Sequence, residues 1–248
     1  MKSDKKFRRR TEAGELISDL EYDLTKQWSF VMRVYHFINA THAINNLSLK
    51  RLKVSRISEL NDPFELLAAD ALNPKHLKAF SAFKNQLNKT KGLICFSGAW
   101  SNPLLWGHYA DKHHGMALGF DIPDDQVLKV HYTSNRAKVE FDTTTRTVKD
   151  GSNVVERLIR TKFTDWQYED EYRVFVNLDP QNQEGGLHFV NFSQDLQLRE
   201  VIIGMRCHLS VQRVRQLVGA SELSVKVIKA GMARRIFKII EDRKFRTS

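Results

Sequence analysis

The apolar residues of this chain fall in short runs, none longer than a single strand, with turn-forming residues between them. FVMRVYHF from Phe30, GLICFS from Gly92, GMALGFDI from Gly115 and LREVIIGM from Leu198 are the clearest. Such runs are far below the roughly 20 apolar residues that span a bilayer, and they suit buried strands. Between them lie segments of helical spacing: Leu16, Leu20 and Leu24; a short THAINNL helix with Thr41 placed to cap it; residues 74 to 90, with Leu77, Phe80, Phe83 and Leu87 on one side; NPLLWGHYAD; Val154, Leu158 and Ile159; and VQRVRQLV, capped by Ser210 and stopped by Gly219. Further strands are expected at SLKRLKVS, VLKVHY, AKVEF, YEDEYRVFVNL, SVKVIKA and RRIFKII. Many strands with scattered helices, and no regular βαβ series, predict an α+β fold of mixed or antiparallel β-sheets with short helices. With 248 residues, 42% of them hydrophobic, the chain has material for one sizeable core. The expected organisation is a basic, helical extension over residues 1–28 and a single α+β domain over 29–248.

Location and partners are constrained next. MKSDKKFRRR has basic residues with no apolar stretch behind them, so a cleaved secretion signal is not expected. Cys95 and Cys207 are far apart and lack a nearby partner, which argues against a disulfide framework and for a reducing cytoplasm, with no membrane partner. The net charge of +10 resembles a nucleic-acid signature until it is located. Residues 1–10 and 229–248 carry +5 each, and the chain between them is neutral. Arg8, Arg9 and Arg10 at one end, and Arg234, Arg235 and Lys244 at the other, are therefore the candidates for phosphate contact; solvated tails are the alternative reading.

Several strong motifs are absent: no Walker A sequence, no G-x-G-x-x-G, no H-E-x-x-H and no G-x-S-x-G. His108, Asp111, His113 and His114 form the densest histidine group, but their spacing does not put two imidazoles on one helical face, and no metal is expected there. Three other clusters concentrate chemistry. Tyr35 and His36 end the first strand, where an imidazole among apolar neighbours needs a partner or a ligand. CFSGAWSNPLLWGHYAD gathers Phe96, Ser97, Trp100, Trp106, His108 and Tyr109, rings with hydroxyl and imidazole groups that suit a flat heterocycle as well as they suit a core. WQYEDEYR puts Glu169, Asp170 and Glu171 in succession, with Arg173 two residues on. Three such acids repel one another unless solvent, a cation or a basic substrate compensates, and repulsion moves a carboxyl toward acid–base range; an exposed acidic turn is the alternative.

NDPFE, CFS, LLWGHYADKHHGMALGFD and WQYEDEYR, in that order, resemble the bacterial domain-of-unknown-function family 2971, over about residues 34 to 205. A second resemblance carries chemistry. YHFINATHAINNLSLKRLKVS is similar to the opening of compact ADP-ribosyltransferases, ICFSGAWSNPLLWGHYADKHHGMALGF to their next strand–helix–strand unit, and YEDEYRVFV to their acidic strand entrance. That likeness implies a transferase consuming NAD as substrate. His36 would hold a ribose hydroxyl, and Tyr35, Ser97, Trp106, His108, Tyr109 and Arg173 would surround the dinucleotide. Glu171 would polarise the ribose, with Glu169 as the other half of a paired-glutamate motif. The position of a tyrosine common in such enzymes is held here by Cys95 or Phe96, neither of which has a phenolic hydroxyl. By the same analogy the implied role is a bacterial toxin or anti-phage defence effector modifying a nucleic acid or protein acceptor, with a neutralising or defence-system partner. The competing expectation is a non-catalytic module that binds nucleic acid or a partner through its basic ends.

Overall fold

The computed structural model describes residues 30–64, 69–70, 74–138, 141–142, 147–148, 157–219 and 225–245. The expected N-terminal extension and Arg8, Arg9 and Arg10 lie outside them, as do Val154 and the side chains of Leu77, Phe80 and Phe83. The architecture is α+β, built on one large mixed sheet with a few short helices. Its strands are β1 (Val31–Ile38), β2 (Arg51–Arg56), β3 (Lys91–Ser97), β4 (Met116–Pro123), β5 (Leu128–Lys129), β6 (Glu171–Asn177), β7 (Gln183–Glu184), β8 (Leu187–Asn191), β9 (Gln197–Ile203), β10 (Lys226–Met232) and β11 (Ile239–Glu241). The order is β7-β8-β2-β3-β1-β4-β9-β10-β11, with β6 also on β3 and β5 on β6. Only β9 and β10 run parallel within it. Among the described residues, helices α1 (Ala40–Leu49), α2 (Pro74–Thr90), α3 (Pro103–Tyr109) and α4 (Val211–Val218) accompany the sheet. Among the described residues no helix is long and apolar enough to cross a membrane.

β4 lies inside the sheet between β1 and β9, and its sequence says why. Alternate side chains of a strand face opposite ways. Met116, Leu118, Phe120 and Ile122 enter one apolar cluster with Ala43 and Leu47 of α1 and Val211, Val214 and Val218 of α4. Ala117 joins Trp106 and Ala110, at the α3 side, in a second cluster with Ile202, Ile228 and Ile239. A strand covered on both faces has to be apolar throughout, which is the pattern of GMALGFDI.

Local expectations are corrected in three places. Asn39, not Thr41, caps α1: it is extended and its side chain accepts from the His42 amide at 2.8 Å, so the helix starts at Ala40 and Thr41 falls inside its first turn. VLKVHY breaks at Val130, whose amide turns aside to the Glu171 carbonyl. RRIFKII yields only the short β11, because a hydrogen bond from the Ala233 amide to the Lys238 carbonyl closes residues 233–238 into a loop. Ser210 and Gly219 do bound α4, with Gly219 at φ 89°.

Candidate functional site

The sheet divides at β3. One edge of β3 is paired along its whole length with β6, from Glu171↔Ser97 to Asn177↔Lys91. The other edge is shared: Leu93 and Gly92 pair with Ser55 and Arg56 of β2, and Ser97 pairs with Tyr35 of β1. Tyr35, Ser97 and Glu171 therefore stand in one row across three adjacent strands. Between the two short ladders β3 lacks a strand partner, and the His36 Nδ1–H donates to the Cys95 carbonyl there at 2.9 Å. The Phe96 ring sits edge-on to His36, with centroids 5.8 Å apart. Over this division lies a cleft of about 250 Å³, whose walls include Tyr35, His36, Ser97, Tyr109, Glu169 and Glu171.

The acidic segment is not an exposed turn. Glu169 and Glu171 are only 5% and 4% exposed. Glu169 ends a 3-10 turn over Thr164–Glu169, Asp170 takes a left-handed conformation at φ 42°, and β6 begins at Glu171. Lys162, in a short strand (Thr161–Phe163) paired parallel with His131–Thr133, lies between the two carboxylates. Its Nζ is 2.5 Å from Glu169 and 3.0 Å from Glu171, and the Trp166 ring covers it at 4.9 Å. Arg173 grips Glu171 through Nε at 2.9 Å and Nη2 at 3.0 Å, and its Nη1 donates to the Ile159 carbonyl. Tyr109 donates to Glu169 and accepts from the Asn61 amide at 2.7 Å. The cations that an acidic run requires are thus the chain's own.

These neighbours drive the two carboxyls apart. Burial alone would raise both. At Glu171 the charges and hydrogen bonds of Arg173 and Lys162 overcome burial and hold the carboxyl down at about 2. At Glu169 burial prevails over Lys162 and Tyr109, with the Glu171 charge adding to it, and the carboxyl is held above its ordinary range. Burial would lower Lys162, but the two glutamates keep it firmly protonated. Burial also keeps His36 neutral by lowering it, against the hydrogen bond to Cys95. Because Nδ1 carries the proton, Nε2 is the acceptor nitrogen. The Cys95 thiol is pushed up, chiefly by burial and then by the Glu171 charge.

Of the residues expected in a site, Tyr35, His36, Ser97, Tyr109, Glu169 and Glu171 meet at the cleft. Trp106 does not: it is buried in the core, its indole N–H donating to the Trp100 carbonyl at 2.7 Å. Arg173 is 1% exposed and stands behind Glu171 rather than in the cleft wall. His108 is exposed, hydrogen-bonded to the Tyr168 hydroxyl at 2.8 Å, and faces an adjoining hollow. Arg234, Arg235 and Lys244 are exposed near the C-terminal end. Lys162 and Asn61 also belong to the cleft wall, and the sequence alone does not mark them as site residues. Unbalanced charge in YEDEYR was the one available sign of Lys162; NDPFE reads only as a turn.

No curated protein and no solved structure matches the chain. Residues 105–174 match the family described as protein of unknown function (DUF2971). The matched segment of this chain runs from Leu105 in the cleft wall through Tyr109, Lys162, Glu169 and Glu171 to Val174 in β6, within the stretch in which the order of motifs resembles that family.

Proposed function

We propose that the chain is an ADP-ribosyltransferase-like enzyme that consumes NAD. The observation that carries this reading is the row of Tyr35, Ser97 and Glu171 across three strands, with His36 beside it, facing a cleft that holds two carboxyls of opposite proton affinity. Breaking an N-glycosidic bond through an oxocarbenium-like transition state needs an oriented ribose and a fixed anion more than a strong nucleophile. A cleft of about 250 Å³ falls just below the ~300–1,000 Å³ typical of pockets for whole ligands, which suits the nicotinamide–ribose half of NAD and not the whole dinucleotide.

In this reading the bond from C1′ to the nicotinamide nitrogen breaks, its electron pair leaves with neutral nicotinamide, and the acceptor's lone pair forms the new bond to C1′. The acceptor's proton goes to Glu169, whose raised affinity fits it to receive one. Glu171 stays ionised. A carboxylate has about four acceptor positions; Lys162 and Arg173 occupy three on Glu171, which leaves room for one hydrogen bond from a ribose hydroxyl. His36 Nε2 offers an acceptor for a second hydroxyl. A cytoplasmic toxin or anti-phage effector is the setting such a transferase fits, and it belongs to the same proposal.

The test is direct: wild-type chain, NAD labelled in either the nicotinamide or the adenosine half, and cell lysate as acceptor source. Release of nicotinamide with adenosine label passing to macromolecules is the expected result. A folded chain that neither binds NAD at millimolar concentration nor releases nicotinamide overturns the reading.

A further inference from the structure

The loop between β10 and β11 is built unlike the rest of the surface. Phe237 is 99% exposed, and Met232 and Ile236 are also exposed. Arg234, Arg235 and Lys238 alternate with them. The loop is pinned at its base, where the Ile239 amide donates to the Ser101 carbonyl at 2.8 Å, just before α3. Beside it opens a hollow of about 400 Å³ with Pro103, His113, Met205 and Arg206 in its far wall. Among the described residues no carboxylate pairs with Arg206, Arg234, Arg235 or Lys238. Four uncompensated cations around one concavity, with an aromatic ring held out into solvent, lie outside the carboxylate cleft.

We propose that this loop and hollow bind single-stranded nucleic acid, with Phe237 stacking on a base and Arg206, Arg234, Arg235 and Lys238 contacting the backbone. Stacking on exposed aromatics beside a cationic groove is how proteins hold single strands without reading sequence. Arg206 lines the hollow across from Arg234, Arg235 and Lys238 of the loop, so cations face one another over a concavity, which favours a strand seated in the hollow over a flat lipid surface. The inner wall is polar as well: His113 lines it, with burial, Arg206 and His114 lowering its imidazole and keeping it neutral. Placement links the hollow to the cleft. Pro103 at the start of α3 borders the hollow and Tyr109 at its end borders the cleft, about 9 Å apart along the helix at 1.5 Å per residue. As the acceptor of ADP-ribose, the bound strand rests on the transferase reading; as a ligand, it does not.

Binding is therefore measured without NAD, on the full chain, by fluorescence anisotropy of labelled oligothymidine and oligouridine. Affinity is expected to fall with salt, and R234A/R235A to lower the log–log salt slope by about 1.4, at ~0.7 per phosphate contact on single strands. Phe237→Ala is expected to weaken binding on the order of tenfold with an unchanged salt slope. Both variants alter exposed side chains, so unfolding midpoints stay at the wild-type value. No binding, wild-type affinity in both variants, or binding of phosphatidylserine vesicles in place of the oligonucleotide overturns the proposal. Nicotinamide release by the same preparations is scored separately, so either proposal can fail alone.

Discussion

Glu171→Gln is the natural first mutation, and the structure makes it a severe one. The carboxylate lies buried between Lys162 and Arg173, with both oxygens accepting hydrogen bonds from cationic donors. Glutamine removes the charge and replaces one oxygen by an NH₂ group, which then points its hydrogens at donors on either side. Two buried cations are left with one carboxyl between them. Breaking a buried pair by removing one member costs about 3–5 kcal/mol. The depressed carboxyl points the same way, since Arg173 and Lys162 favour the ionised form that glutamine cannot supply. Glu169 recovers a part, since losing the Glu171 charge lowers its own proton affinity and lets it compensate Lys162 more fully.

A loss of about 3 kcal/mol near pH 7 is thus expected, a large share of the 5–15 kcal/mol that stabilises a typical domain. Urea unfolding of wild type, Glu171→Gln and Glu169→Gln from pH 3 to pH 8 is the assay. Glu171 has its folded pKa below its unfolded one, so its stabilisation is complete above about pH 4.5 and vanishes as pH falls toward 2. The deficit of Glu171→Gln therefore shrinks with acid. Glu169 is shifted the other way, its ionisation costs folded stability as pH rises, and the deficit of Glu169→Gln narrows toward alkaline pH. A Glu171→Gln deficit under 1 kcal/mol, or the same pH slope for both variants, refutes the charge arrangement. Lost activity in Glu171→Gln bears on catalysis only once the fraction folded is known.

Lys162→Met leaves two buried carboxyls facing each other, and Glu169 is expected to stay protonated well into the neutral range; the stability loss should be about 3 kcal/mol at pH 8 and distinctly less at pH 5, read by the same denaturation series. Gly115→Ala is expected to cost more than 3 kcal/mol or abolish folding, because its Cβ would lie 2.1 Å from the Ile38 carbonyl oxygen, whereas Gly107→Ala, with open space at its Cβ inside α3, should be neutral or stabilising by up to about 1 kcal/mol; thermal unfolding of the two separates them.

The parts of the fold that were legible are those in which local pattern and tertiary demand coincide. GMALGFDI reads as a covered strand because both faces of β4 are packed, and Ser210 and Gly219 bound α4 by local backbone chemistry alone. Thr41 misled because Asn39, two residues earlier, already satisfies the cap geometry. RRIFKII misled because β-prone residues form a strand only where a neighbour accepts their hydrogen bonds, and the loop's own Ala233–Lys238 bond takes that place. The candidate site divides along the same line. His36, Ser97 and Glu171 could be grouped because each ends or begins a readable strand, yet what sets their chemistry is Lys162, a single lysine between Thr161 and Phe163 with nothing local to distinguish it. Its position is fixed by the pairing of Lys162 with Tyr132, thirty residues away in the chain, and Tyr132 in turn accepts the Glu171 amide at 2.8 Å. Charge balance is the one property of such a site that a sequence retains: three acids in a row with a single arginine leave negative charge that solvent, a substrate or another cation has to offset, and only the pairing of Lys162 with Tyr132 decides that the chain itself supplies that cation.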